Sequence, residues 1–264
     1  MSSLKRMLAV IDLFTEVEPT WTPEEIAERL GCSRPTGYRY VRELVAAGLL
    51  RRAGASRYML GPRIIELDHQ IRATDPVLRA GLPIMEALAD RTGCDVLLSN
   101  FYGDRVLNVH HVPGLERLNI KFGRGVPMPL FRGSTSKAII AFLGTAALKR
   151  LYARHLRTIA AAGLGKSWEE FRRAMLEIRR TGYAKSTGEL DPPNIGIAVP
   201  VFAAGGEVLG SLSLVTLIKR WELLDREQIV GVLREAGSRI SAAIADPGAA
   251  ARPHPPERLL RRIK

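Results

Sequence analysis

The stretch "TPEEIAERLGCSRPTGYRYVRELVAAGLLRR", Thr22 to Arg52, decides the fold. Thr22 followed by Pro23 and Glu25 marks a helix start, because the threonine hydroxyl can accept a free N–H of the first turn while the glutamate reaches back to the cap. Gly31 closes that short helix by entering the left-handed conformation that other residues avoid. Ser33 then caps a second helix that runs to about Ala47 and stops at Gly48. Two helices joined by so tight a turn predict a helix-turn-helix, whose second helix enters the major groove of DNA.

At 100° per residue, Gly37, Val41, Leu44 and Val45 fall on one side of that second helix. Pro35, Arg39, Arg42 and, less centrally, Thr36 fall away from it. The first side is expected to pack and the second to protrude. Gly37 costs about 1 kcal/mol of helix stability against alanine, so its use points to close approach of the preceding helix. Of Tyr38 and Tyr40, one is expected to pack and the other to reach phosphate. Outward along the chain, "LLRRAGASRYML" reads as two short strands around Ala53 to Ser56, a wing carrying Arg51, Arg52 and Arg57. On the other flank, Leu4, Leu8, Ile11, Leu13 and Phe14 recur at helical spacing, which predicts a helix over Ser3 to Val17.

Pro62 to Thr74 and Pro76 to Thr92 read as further helices meeting at "TDP", the first of them a linker. From Cys94 the period changes: "DVLLSNFY", "RVLNVHHV" and "RLNIKF" alternate as strands. Helices follow over Ser134 to Leu143, Thr145 to His155 and Ser167 to Thr181, the last opened by a capping box in "SWEE". "GIAVPVF" and "VLGSLSLVTL" are strands whose uncharged character predicts burial on both faces. A helix over Asp225 to Ala245 closes the fold. The expected class is therefore α+β. A winged helix-turn-helix occupies residues 1–61, a linker helix 62–75 and an α+β domain 76–246, and 247–264 form a basic tail rich in Pro and Ala, expected to be disordered.

The 264 residues are 46% hydrophobic and 25% charged, as in a globular protein, with a formal charge of +12. That charge favours a polyanionic partner, although only eight of the 39 basic residues are lysine and an arginine bias can also follow from a GC-rich genome. Location carries more: from Leu30 to Arg63 seven arginines face Glu43 alone. Cys32 and Cys94 stand apart, with no CxxC pair and no histidine at zinc-ligand spacing, so two reduced thiols and no metal or cofactor are expected. No segment reaches the length and apolarity of a membrane helix, and a cytoplasmic protein without a membrane partner is expected.

"LKRMLAVIDLFTE", the opening stretch and "RYMLGPRIIEL", followed by "GRGVPMPLFRGSTSKAIIAFL" and "GIAVPVFAAGGEVLGSLSL", resemble the IclR family of bacterial transcription regulators over most of the chain. The resemblance implies a winged helix joined by a linker helix to a GAF-like effector domain. It implies a homodimer or a tetramer of two dimers, no catalysis, and control of catabolic genes by a small organic acid or aromatic metabolite. The recognition helix is then Ser33 to Ala47, and the effector pocket lies near Leu118 and Ile120, the helix start Gly133 to Lys137, Ser186, the strand Asn194 to Ile197, and Ser213. The chain departs from the family at Pro35 and Gly37, where serine or threonine and a small β-branched residue or alanine are usual. It reads "FRGSTSKA" where "HASGLGKA" is commoner, and has Gly196 where cysteine is frequent.

On the DNA side, Arg39 is the expected base reader, since arginine can donate two parallel hydrogen bonds to guanine. Arg34, Arg42 and Arg52 are expected on phosphates, Ser33 and Thr36 suit phosphates at the helix start, and Tyr38 and Arg57 complete the interface with double-stranded operator DNA. On the effector side, the helix opening at Gly133, Ser134 and Thr135 offers free N–H groups to an anion. Arg132 either clamps the carboxylate of a small organic-acid effector or pairs with an acidic neighbour. His110 and His111 are consecutive on a strand and cannot easily chelate one metal. Ser134 and Lys137 fit an S-x-x-K spacing without the other motifs of penicillin-recognising enzymes, so no catalytic residues are expected. An enzymatic or metabolite-binding C-terminal domain and a non-specific nucleoid protein remain the alternatives.

Overall fold

A computed structural model describes residues 2–116 and 118–246; the expected tail lies outside the described residues. The chain divides after Asp75 into two compact units. The first begins with α1 (Ser3–Ala9), shorter than expected: the helix breaks at Val10 into a 3-10 turn over Ile11–Leu13. α2 (Pro23–Arg29) carries the full capping box, with the Glu25 N–H donating to Thr22 Oγ1 at 3.2 Å and the Thr22 N–H to Glu25 Oε2 at 2.8 Å. Gly31 takes φ +60, and α3 (Arg34–Ala46) follows, stopped by Gly48 at φ +71. β1 (Leu50–Arg52) and β2 (Tyr58–Leu60) pair antiparallel as the wing, and Trp21 bridges to Tyr58 on the outer edge.

Val10, Ile26, Tyr40, Val41, Leu44 and Leu50 form the core of this unit. Of the two tyrosines of α3, Tyr40 is the one that packs, and one assignment on the helix, Val45, changes. Tyr40 is buried, with its hydroxyl 2.9 Å from Ser3 Oγ, while Val45 lies 36% exposed rather than packed. The reason is curvature of the packing surface: α2 and the wing cover the Gly37, Tyr40, Val41 and Leu44 stripe, and Val45 lies at its margin. α4 (Pro62–Thr74) ends the unit, and Ile65 and Ile71 on it are 74% and 52% exposed.

The second unit opens with α5 (Pro76–Thr92) and is built on a six-stranded antiparallel sheet in the order β5-β4-β3-β8-β7-β6. Its strands are β3 (Asp95–Tyr102), β4 (Arg105–Val112), β5 (Pro127–Met128), β6 (Ala184–Thr187), β7 (Asn194–Phe202) and β8 (Val208–Leu217). Three helices stand between β5 and β6: α6 (Ser134–Ala141), α7 (Thr145–Ala161), which bends at His155, and α8 (Trp168–Thr181). α9 (Ile218–Trp221) and α10 (Arg226–Ala245) end the described chain. Residues 118–122, expected as a strand, are irregular, and β6 and α9 were not anticipated. Only Ser167 caps α8 in the manner foreseen; the Glu170 carboxylate takes the Lys166 N–H instead, so the box is half formed.

Strand alternation assigns the two faces of this sheet. Val96, Leu98, Ile195, Ile197, Val199, Leu212 and Leu214 join Met85, Leu88, Leu233 and Ile240 of α5 and α10 in one apolar layer. The intervening positions, Leu97, Gly196, Ala198, Ser211, Ser213 and Val215, look toward α6. There α6 packs under α7 and α8 through Phe131, Ile140, Leu148, Phe171 and Met175.

Candidate functional site

In the first unit, the exposed side of α3 and the wing border a groove lined by Pro35, Tyr38, Arg39, Val41, Arg42, Val45, Arg52 and Tyr58. The guanidinium of Arg39 lies 5.8 Å from the ring centre of Tyr40 and that of Arg52 6.0 Å from Tyr58, so aromatic faces hold both cations at the groove. Arg42 pairs with Glu43 at 2.9 Å, an exposed contact that solvent screens and a phosphate can replace. Ser33 occupies the N-cap of α3 without capping it, its hydroxyl 2.9 Å from Thr36 Oγ1, and Arg34 opens the helix beside them.

Tyr38 donates to Glu24 Oε1, which holds the Glu24 carboxyl below its ordinary range and the phenol above its own. Arg57 turns inward: it donates to Thr20 Oγ1 at 2.8 Å and Thr20 O at 2.7 Å and pairs with Glu25 at 3.3 Å, fastening the wing to the start of α2. The sequence brought Tyr38, Arg39, Arg42 and Arg52 to the groove, whereas Ser33, Arg34, Thr36 and Arg57 do not line it.

In the second unit, a small cavity of about 50 Å³, partly open to solvent, lies between the sheet, the start of α6 and the β6–β7 turn. Ile120, Ser134, Thr135, Ser186, Asn194 and Gly196 line it as expected; Leu118, Arg132, Gly133 and Ser213 do not. The absence of a side chain at Gly196 makes room, since a β-carbon there would lie 2.7 Å from Ser134 Oγ and 3.3 Å from Ser186 Oγ. Ser186 Oγ accepts the Ser134 N–H at 3.0 Å. Ser213 sits behind the wall, its hydroxyl 2.9 Å from that of Thr135. Arg132 is exposed and donates to the backbone oxygen of Glu189, so the guanidinium clamp expected of it is corrected: among the described residues no arginine lines the cavity.

Gly133 takes φ +82, and a β-carbon on it would strike Leu190 at 2.7 Å, so only glycine lets the β6–β7 turn close over α6. That turn supplies what sequence reasoning missed: Glu189, Leu190 and Asp191 all face the cavity, joined by Leu97, Asn108, Phe122, Met128 and Val215. The strand period could have exposed Leu97 and Val215, whereas a turn gives no period to read. His111, on β4, meets Asp95 at 2.8 Å. Lys137 is held by Glu189 and by the Lys185 oxygen, not poised beside a nucleophile.

A winged helix-turn-helix with a cationic groove, followed by a domain whose antiparallel sheet and helix start enclose a small cavity with apolar and polar walls, has the make-up of a ligand-responsive DNA-binding regulator. Comparison narrows the class. Residues 3–54 match the IclR helix-turn-helix domain and residues 70–242 the bacterial transcriptional regulator IclR C-terminal domain. The chain belongs to the IclR family and is a transcriptional regulator. It is 25% identical to the HTH-type transcriptional regulator XynR of Escherichia coli, covering 94% of this chain and 98% of that protein. An IclR transcriptional regulator from Alicyclobacillus acidocaldarius superposes with a TM-score of 0.74 at 27% identity, over 92% of this chain and 98% of that one. An IclR homologue from Microbacterium hydrocarbonoxydans, solved in complex with 4-hydroxybenzoate, does so with 0.73 at 24%, over 92% and 99%.

Proposed function

We propose that this regulator acts in the cytoplasm on catabolic genes, and that a small organic acid in the cavity beside α6 governs how its winged helix holds operator DNA. The observation that carries the reading is the cavity itself. It combines an apolar body, from Leu97, Ile120, Phe122, Met128 and Val215, with a polar end at Ser134, Thr135 and Ser186, where a helix begins. The relative solved with 4-hydroxybenzoate has the same fold, and that compound pairs an aromatic body with a carboxylate. The chain then works by binding rather than turnover.

On the DNA side, Arg39 reads bases while Arg42 and Arg52 hold phosphates at the groove. As a homodimer or a pair of dimers it would span half-sites one helical turn or a multiple apart, so that a small change in their spacing alters affinity. Fluorescence anisotropy at near-physiological salt tests this, comparing a duplex from upstream of its own gene with a shuffled one, with and without 4-hydroxybenzoate. Preference for the upstream duplex, lost in Arg39→Ala and shifted by the acid, supports the reading. Equal binding to both duplexes with no response to any small acid would overturn it.

A further inference from the structure

Glu189 stands on the cavity wall, and its carboxylate occupies an anion-binding corner that adjoins the cavity at the start of α6. Glu189 Oε2 accepts the Gly133 N–H at 2.9 Å, immediately before α6, and Glu189 Oε1 lies 2.5 Å from the Lys137 ammonium. Lys137 is nearly buried, its side chain 11% exposed, and among the described residues its other partner is the Lys185 backbone oxygen at 3.1 Å. A helix-start N–H and a buried ammonium converging on two oxygens make a carboxylate seat.

Among the described residues no lysine, arginine or histidine lines the cavity, and the second carboxylate on its wall, Asp191, is matched by Lys121 at 2.8 Å. An acid bound beside Glu189 would place two carboxylates on one ammonium, and like charges in a desolvated pocket disfavour that arrangement. Exchange avoids it. The Glu189 backbone oxygen is held by Arg132, so the carboxylate can leave by side-chain rotation alone, and at 30% exposure it has a path to water.

We propose that Glu189 is a resident occupant of the effector's anion subsite, and that an organic acid binds by taking its place on the Gly133 N–H and Lys137 Nζ. This rests on the reading of the cavity as the effector site. Two consequences follow. The tethered carboxylate competes at a high effective concentration and sets a threshold for weak acids. Its release also removes the Glu189 side-chain ties between the β6–β7 turn and α6 and leaves the backbone anchor through Arg132 in place, so occupancy of the corner alters one wall of the cavity.

The test uses acetate as a probe of the seat alone. Thermal unfolding of the full chain is followed in sodium acetate and in sodium chloride of equal ionic strength, for wild type, Glu189→Ala and Glu189→Gln. Acetate is expected to raise the melting temperature of Glu189→Ala clearly and of Glu189→Gln less, with wild type unmoved. Calorimetry with 4-hydroxybenzoate is expected to show binding roughly tenfold or more tighter in Glu189→Gln than in wild type. Should Glu189→Ala fail to fold, the neutral isostere carries both readouts. Acetate acting no differently from chloride on the variants, or Glu189→Gln binding the acid more weakly, would overturn the exchange. Acetate rescue without any effect of acids on DNA binding would keep the subsite and remove the regulatory reading.

Discussion

Gly37 of α3 lies so close to Ala27 of α2 that a β-carbon on it would come within 2.8 Å of the alanine methyl and 2.7 Å of the Pro23 oxygen. The angle between the two helices of the DNA-binding motif is therefore set by a missing methyl group. Gly37→Val has no flexible neighbour to displace, and a loss of about 3 kcal/mol or more is expected in the N-terminal unit. Circular dichroism melts and anisotropy should both register it; a variant that melts and binds DNA like wild type would refute the close-packing account.

Arg42 and Arg52 border the groove, the first beside exposed Glu43 and the second over the Tyr58 ring, and each is expected to neutralise one phosphate. Replacing either by alanine should weaken binding on every duplex alike and lower the slope of log affinity against log salt by about 0.9. An unchanged slope would move that arginine off the DNA.

Low pH should weaken the N-terminal unit. The Glu24 carboxyl is held below its ordinary value by the Tyr38 hydroxyl, and that of Glu25 by the Thr22 N–H. Groups depressed in the folded state contribute stability that is complete above the unfolded value, here 4.5, and is lost as pH falls through the folded one. Tyr38→Phe should flatten the part of this acid limb that belongs to Glu24; melts between pH 3 and 6, on the order of the ordinary carboxylate range, would show it.

Filling Gly196 should blind the sensor. Gly196→Val drives a side chain toward Ser134 Oγ and Ser186 Oγ at the polar end of the cavity. Binding of 4-hydroxybenzoate should fall by tenfold or more, about the cost of one misplaced methyl group in a tight pocket, while affinity for the upstream duplex stays. Retained acid binding would place the ligand elsewhere.

The sequence made most of this legible where local chemistry is strong. Pro62 and Pro76 start their helices where expected, Thr22 and Glu25 close the capping box, and Gly31 and Gly48 take the left-handed conformations their positions required. It failed where long-range contacts decide. β6 is four residues long and exists because it pairs with β7, Ser186 opposite Gly196, with no period of its own strong enough to be read. Residues 118–122 alternate like a strand and yet are irregular, bringing Ile120 and Phe122 to the cavity wall. Arg132 had the right chemistry and the wrong direction, because the turn it adjoins offered a nearer oxygen at Glu189. No spacing rule links Glu189 to Lys137 across 52 positions, so the pair became visible only in three dimensions.

The alternation along β7 and β8 has a consequence for how such a sensor can change. Gly196 stands opposite Val215, Ala198 opposite Ser213 and Pro200 opposite Ser211, while the partners between them, Ile197 with Leu214 and Val199 with Leu212, belong to the apolar layer. Two scripts are interleaved on the same strands, one spelling stability and the other chemical taste. Changes at Gly196 and Val215, the letters of the second script that reach the cavity, could retune it and spare the apolar layer, whereas a single-residue slip would garble both scripts at once.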